Sequence, residues 1–85
     1  MTQQQKELPP FSETATAITR GWYRHYRGGR YEVLGVARQS ETLEELVVYR
    51  RDGSDELWVR PVVMWSEVVE FEGRHQQRFV REDFV

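Results

Sequence analysis

Three groups of side chains along this chain could do chemistry. The first is Trp22-Tyr23-Arg24-His25-Tyr26-Arg27 with Arg30, which interleaves aromatic rings with guanidinium groups. Arg forks onto carboxylate or phosphate oxygens and stacks on ring faces. Beside Tyr and Trp it also makes the platform on which single-stranded nucleic acid stacks. From Arg20 to Arg38 there are five Arg and one Glu, a local charge of +4, in a chain whose net charge is −2. The second group is Trp58-Val59-Arg60-Pro61 with Met64-Trp65. Two Trp, an Arg and a Met near one strand end are the ingredients of a groove for extended or proline-rich peptides. The third is Arg38 with Ser40-Glu41, a set that could line a small anion or amide pocket through a bidentate Arg–carboxylate bond.

Each group has a plainer structural use. Trp22, Tyr26 and Tyr31 can be core, with Arg24, Arg27 and Arg30 on the solvated face. Ser40 to Glu45 can be a polar connection that satisfies its own backbone, with Thr42 and Glu45 spaced as a capping box. Trp58 or Trp65 can be buried, but a domain this small does not fully bury both.

Enzyme chemistry has little to work with. His25 and Glu41 are one acid–base pairing on offer, since a carboxylate beside an imidazole orients it near neutrality. There is no nucleophile elbow, phosphate loop, dinucleotide fingerprint or His-Glu-x-x-His motif. The two histidines, His25 and His75, stand fifty residues apart with no ligand spacing around them. With no cysteine, thiolate zinc sites, thiol nucleophiles and disulfides are excluded. The sequence calls for no cofactor and no metal.

The elements that must position these groups are short strands. At 85 residues the chain holds one domain, and a domain of this size buries only about 60% of its unfolded surface. Aromatics must therefore carry much of the core, at about 150–250 Å² each. From Trp22 onward the pattern has period two. Arg27-Gly28-Gly29-Arg30 signals a tight hairpin. Tyr31 to Ala37 reads as a second strand, with a bulge or bend expected at Gly35. Leu46 to Arg50 and Leu57 to Arg60 read as the third and fourth strands, separated by an Asp52-Gly53-Ser54-Asp55 turn. Val62 to Ser66 reads as one helical turn or a continuing strand. Glu67 to Phe71 and Gln77 to Val80 complete the set around a Glu72-Gly73-Arg74 turn.

This predicts a mainly β fold: a small SH3-like barrel of five to six short antiparallel strands with at most one or two helical turns. It occupies residues 21–85, because about 65 residues are too few for a sandwich of roughly 100. Residues 1–20, with three Gln, a Pro pair and a Ser/Thr/Ala run, read as a flexible tail. The alternative for that segment is a short helix capped by Ser12, with Phe11 and Ile18 docked. No run is apolar enough to span a bilayer, and the first residues lack the apolar stretch of a secretory signal, so a cytoplasmic protein is expected.

Several ordered motifs carry a family resemblance. They are Gly21-Trp22-Tyr23-Arg24-His25-Tyr26-Arg27-Gly28, Tyr31 to Arg38, Ser40 to Arg50, and Leu57-Trp58-Val59-Arg60-Pro61 with Met64. Together they resemble a short bacterial family of domains of unknown function, number sixteen fifty-three in that series, over roughly residues 21–80. The family pattern has His before Ser-Glu-Thr, where this chain has Gln39. The resemblance implies a domain boundary and no activity.

The reading that follows is a non-catalytic binding module for a protein, a peptide or a small ligand. Its expected contact surface is Arg24, His25, Tyr26, Arg38, Glu41, Trp58, Arg60 and Trp65. The alternative is single-stranded nucleic acid held by Arg24, Arg27 and Arg30, and a small enzyme using His25 and Glu41 is third.

Overall fold

The computed structural model describes residues 8–82. Seven strands form two antiparallel sheets. Strands β1 (Gly21–His25), β2 (Arg30–Arg38), β3 (Glu45–Arg51) and β4 (Leu57–Pro61) follow one another in the chain, and β7 (Phe79–Arg81) returns beside β1. The five-stranded sheet has the order β4-β3-β2-β1-β7. The hairpin of β5 (Val68–Phe71) and β6 (Arg74–Gln77) is the second sheet. Two short helices, α1 (Glu13–Ala17) and α2 (Val62–Trp65), complete the chain. The mainly β expectation stands, with seven strands in place of five or six. Among the described residues, strand pairing does not close the sheets into a barrel.

The β1–β2 hairpin turns on Gly28 (φ 101°) and Gly29 (φ 91°), in a region that residues with a Cβ rarely enter. The register of β2 on β3 slips between Val33 and Gly35. Leu34 is thereby the extra residue of a β-bulge. The bulge decides the core: with an extra residue between them, Val33 pairs with Tyr49 and Val36 pairs with Val47, and both valines pack on the same inner face. An unbroken period of two would have sent them to opposite faces.

That inner face carries Tyr23, Val33, Val47, Tyr49 and Phe79, and Val62 and Trp65 of α2 lie on it. The Trp65 ring stacks on Phe79 with centroids 3.6 Å apart, and Tyr23 meets it edge-on at 5.5 Å. Such aromatic pairs add about 0.5–1.5 kcal/mol beyond the area they bury.

Residues 8–20 differ from the expected tail, and residues 1–7 lie outside the described residues. Ser12 caps α1 by accepting from the Ala15 N–H at 3.0 Å. The N–H and hydroxyl of Ser12 both donate to the Glu45 carboxylate on β3, each at 2.7 Å. Arg38 donates to the Pro9 carbonyl and lies over the Phe11 ring. Ala15 is buried in the core, and Ile18 packs against it. This is the alternative of a Ser12-capped helix with Ile18 packed on the core; composition favours a tail because the segment is held largely by polar bonds to partners near residues 38–45.

Candidate functional site

Strand parity places the site residues. On β3 and β4, Tyr49 pairs with Trp58 and Val47 with Arg60, so Trp58 and Arg60 share the face that holds the core. On β2, Tyr31 pairs with both Tyr23 and Arg51, which puts Tyr31 and Arg51 on that face too. Tyr31, Tyr49, Arg51, Trp58 and Arg60 line a cavity of about 240 Å³ where the core face runs out to the β4 edge. A second hollow, of about 410 Å³, shares Tyr31 and Arg51 and continues past Gly29, Arg24 and Arg30 to Asp52.

The floor of this cavity is aromatic. Tyr31 meets Tyr49 and Phe79 edge-on, both at 5.7 Å. The Arg60 guanidinium lies 5.8 Å from the Phe79 ring centroid. Trp58 is 46% exposed, which leaves its indole open on the rim.

Charge distinguishes this cavity from the rest of the surface. Its lining has two arginines and no carboxylate. Neither Arg51 nor Arg60 forms a salt bridge among the described residues. The Nε of Arg60 is buried and has no hydrogen-bond partner. An unmet donor of this kind costs about 1–3 kcal/mol, and more when charged. Four other arginines are ion-paired: Arg50 with Glu32, Arg78 with Glu67, and Arg24 and Arg30 both with Glu82.

His25 borders the site at the hairpin end of β1. Its ring packs on Tyr26 at 4.6 Å and on Phe79 at 5.0 Å. The Arg27 N–H donates to its Nδ1 at 3.1 Å, which leaves the proton of the neutral ring on Nε2. Burial first, then the charges of Arg78, Arg60 and Arg27, hold its pKa below the usual histidine value. The ring is thus kept neutral in a cationic surrounding.

The structure brings together His25, Trp58 and Arg60 from the expected contact surface and separates the others. Trp65 is core, 3% exposed, because α2 turns it inward onto Phe79. Arg24 is ion-paired with Glu82 and lines the second hollow, not the Trp58/Arg60 cavity. Tyr26 packs between His25 and Phe71. Arg38 is engaged by Pro9 and Phe11, so it makes no pocket with Glu41. Glu41 is exposed in the turn between β2 and β3. His25 and Glu41 lie at opposite ends of β2, a separation of roughly 25 Å at the usual strand rise, so they form no acid–base pair. Gln39, where the family pattern has His, caps that turn: its Oε1 accepts from the backbone N–H groups of Glu41 and Thr42. Thr42 does not start a helix; its hydroxyl accepts from the Glu44 N–H within the turn.

Tyr31, Tyr49 and Arg51 belong to the cavity and were not singled out from the sequence. The signal was present as parity, since Tyr49 and Arg51 are two apart, as are Trp58 and Arg60. Using it required the register across β2, β3 and β4, including the bulge at Leu34.

The fold and this edge define a small mainly β domain with a cationic, aromatic cavity on the core side of its main sheet. The chain belongs to the family described as protein of unknown function (DUF1653), whose sequence model matches residues 21–81. It is similar to a solved structure, a DUF1653-family protein from Bordetella bronchiseptica. The two are 35% identical, with a TM-score of 0.75 over 84% of this chain and 95% of that chain. Comparison with curated proteins gives no match.

Proposed function

We propose that this protein is a binding module, an SH3-like domain of the cytoplasm that takes an acidic group of an extended peptide into the Tyr31/Tyr49/Arg51/Trp58/Arg60 cavity. One observation carries the reading. Two arginines without carboxylate partners, one with an unsatisfied buried Nε, line an aromatic cavity that has an exposed Trp on its rim. A carboxylate entering the cavity would pair with these arginines through charge-assisted bonds, and Trp, Tyr and Arg are the residue types enriched at binding hot spots. The adjoining edge of β4 has free backbone groups, which suits an extended ligand.

Single-stranded nucleic acid is the weaker reading. Of its three arginines, Arg24 and Arg30 are held by Glu82, and Arg27 lies over Tyr26 and Phe71.

The test is a titration followed by amide and indole chemical shifts. The probes are a capped pentapeptide of β-forming residues with a central Glu, and its Gln twin. The Glu peptide should shift the Trp58 indole and the Arg60 amide, and the Gln peptide should do so more weakly. Trp58→Ala and Arg60→Gln should each remove the response. Shifts confined to the β1–β2 hairpin, or none at millimolar peptide, would sink the reading.

A further inference from the structure

The edge strand β4 is unusual in being left open. It ends the five-stranded sheet, and Leu57, Trp58 and Val59 are 59%, 46% and 57% exposed. Proteins ordinarily blunt such an edge with Lys, Pro or a bulge. Here no Lys stands on the strand, Pro61 comes only at its last position, and its register on β3 runs without a shift; the one guard of this kind is Arg60, a charge on the core-side face that a partner's carboxylate would neutralise. An open apolar edge of this kind is a template for another strand.

The sequence of the edge says which strand. Residues 56–60, Glu56 immediately before β4 and the rest within it, read Glu-Leu-Trp-Val-Arg, a pattern that is complementary to itself when reversed. With two copies antiparallel about a two-fold axis at Trp58, Trp58 faces Trp58 of the partner subunit. Leu57 then faces Val59 of the partner subunit, and Glu56 faces Arg60 of the partner subunit. The two-fold repeats each contact. No other in-phase register matches the charges. Centring on Val59 sets Arg60 against Trp58 and Glu56 against Val62, which belongs to α2, and centring on Leu57 sets Glu56 against Trp58 and Arg60 against Ser54. Glu56 and Arg60 each lack an ion-pair partner among the described residues, so both charges are free to pair across the axis. Opposite charges directly across an antiparallel pair are favourable, and aromatic and branched pairs add to them.

We infer that a second copy of this chain is a partner of the β4 edge, joining the two sheets into one continuous ten-stranded antiparallel sheet. The inference rests on the same reading of the edge as a strand acceptor that supports the proposed peptide binding, and it names an occupant. Glu56 of the partner subunit then presents a carboxylate to Arg60 at the cavity rim. Self-association and an acidic peptide therefore compete for the same arginine. A single five-residue strand pair covers less than the roughly 1,200 Å² of a standard stable complex, so the dimer is weak and forms with rising concentration.

Sedimentation equilibrium of the full chain, from about 10 µM to 1 mM, tests this. The expected mass rises from the 10.2 kDa monomer toward twice that value. Glu56→Arg alone and Arg60→Glu alone should each weaken association about tenfold, within the coupling range of contacting charges. The double exchange E56R/R60E should restore it. Leu57→Lys and Val59→Lys, at exposed positions that leave the core untouched, should abolish it while circular dichroism stays unchanged. A chain that is monomeric at 1 mM overturns the inference, as does a double exchange that restores nothing. A monomeric chain that still responds to the Glu peptide overturns self-association alone. A dimer rescued by charge exchange that ignores the peptide overturns the peptide reading alone.

Discussion

Trp65 and Phe79 stack with their rings 3.6 Å apart and 3° from parallel, and this pair joins α2 to β7 across the inner face of the sheet. The two residues come from opposite ends of the β5–β6 hairpin. Their contact therefore closes the C-terminal part of the chain onto the sheet. It also separates the roles of two tryptophans that look alike in sequence: Trp65 is a core residue, and Trp58, on the same stretch of chain, is a surface residue.

Truncating them should show the difference. Trp65→Ala is expected to cost about 3–5 kcal/mol, the range for removing a buried aromatic, and Trp58→Ala about 0.5 kcal/mol or less. Urea denaturation of both variants measures this. Acrylamide should quench Trp58 readily in the native protein and leave Trp65 shielded. Equal losses of stability would mean that Trp58 packs as tightly as Trp65.

Docking of α1 should depend on the Glu45 carboxylate. Its two bonds from Ser12, the backbone N–H first, and the charge of Arg38 hold its pKa below the usual 4.5. A carboxylate with a depressed folded pKa contributes stability that is fully present above its unfolded value. That contribution is lost as pH falls through the folded value. Ser12→Ala and Glu45→Gln should therefore each reduce the loss of stability seen as pH falls below 4.5. Deleting residues 1–10, which removes the Pro9 carbonyl that accepts from Arg38, should cost about 1 kcal/mol or less. Deleting residues 1–18, which removes Ala15 and Ile18 from the core, should cost about 2 kcal/mol or more. Equal effects of the two deletions would show that α1 adds nothing to the fold.

The second titration belongs to His25. Burial and the neighbouring arginines favour its neutral form in the folded state. The unfolded chain then binds more protons than the native one at pH values between the lowered folded pKa and 6.5, so stability rises with pH through that interval. Thermal melts should show stability falling as pH drops below 6.5, and His25→Gln should flatten that part of the profile. A variant whose profile keeps the same slope would assign the titration to another group.

Two glycines should respond differently to alanine. Gly21 sits at φ +139°, and a Cβ there would lie 2.5–2.9 Å from the Arg81 guanidinium, which donates to the Arg20 carbonyl at 2.7 Å. Gly21→Ala should cost about 1–3 kcal/mol through backbone strain. Gly35 has no left-handed φ, and a Cβ there would meet only Arg20 Nε at 4.0 Å. Gly35→Ala should stay within about 0.5 kcal/mol. Denaturation midpoints of the two variants decide the matter, and a costly Gly35→Ala would show that the bulge itself needs glycine.

By itself the sequence determined what local chemistry can determine. Alternation between residues 22 and 60 specified strands, because a pleated chain turns successive side chains to opposite faces. Gly28-Gly29 specified the first hairpin, because only glycine enters those turns without strain. The motifs from Gly21 to Met64 were enough to mark the family. Tertiary structure decided the rest, because the rest depends on register. The bulge at Leu34 set which face Val36 and its partners share, and so which aromatics became core and which became cavity. The Ser12-capped helix was legible as an alternative in its own segment, but its partners Glu45 and Arg38 are far away in sequence, so only the tertiary structure decided for docking over a tail. That Arg51 and Arg60 share one cavity lining without a carboxylate emerged only once the register of β2, β3 and β4 was in place. A charge's partner is set by distance in space, and sequence spacing carries that distance only within a single element.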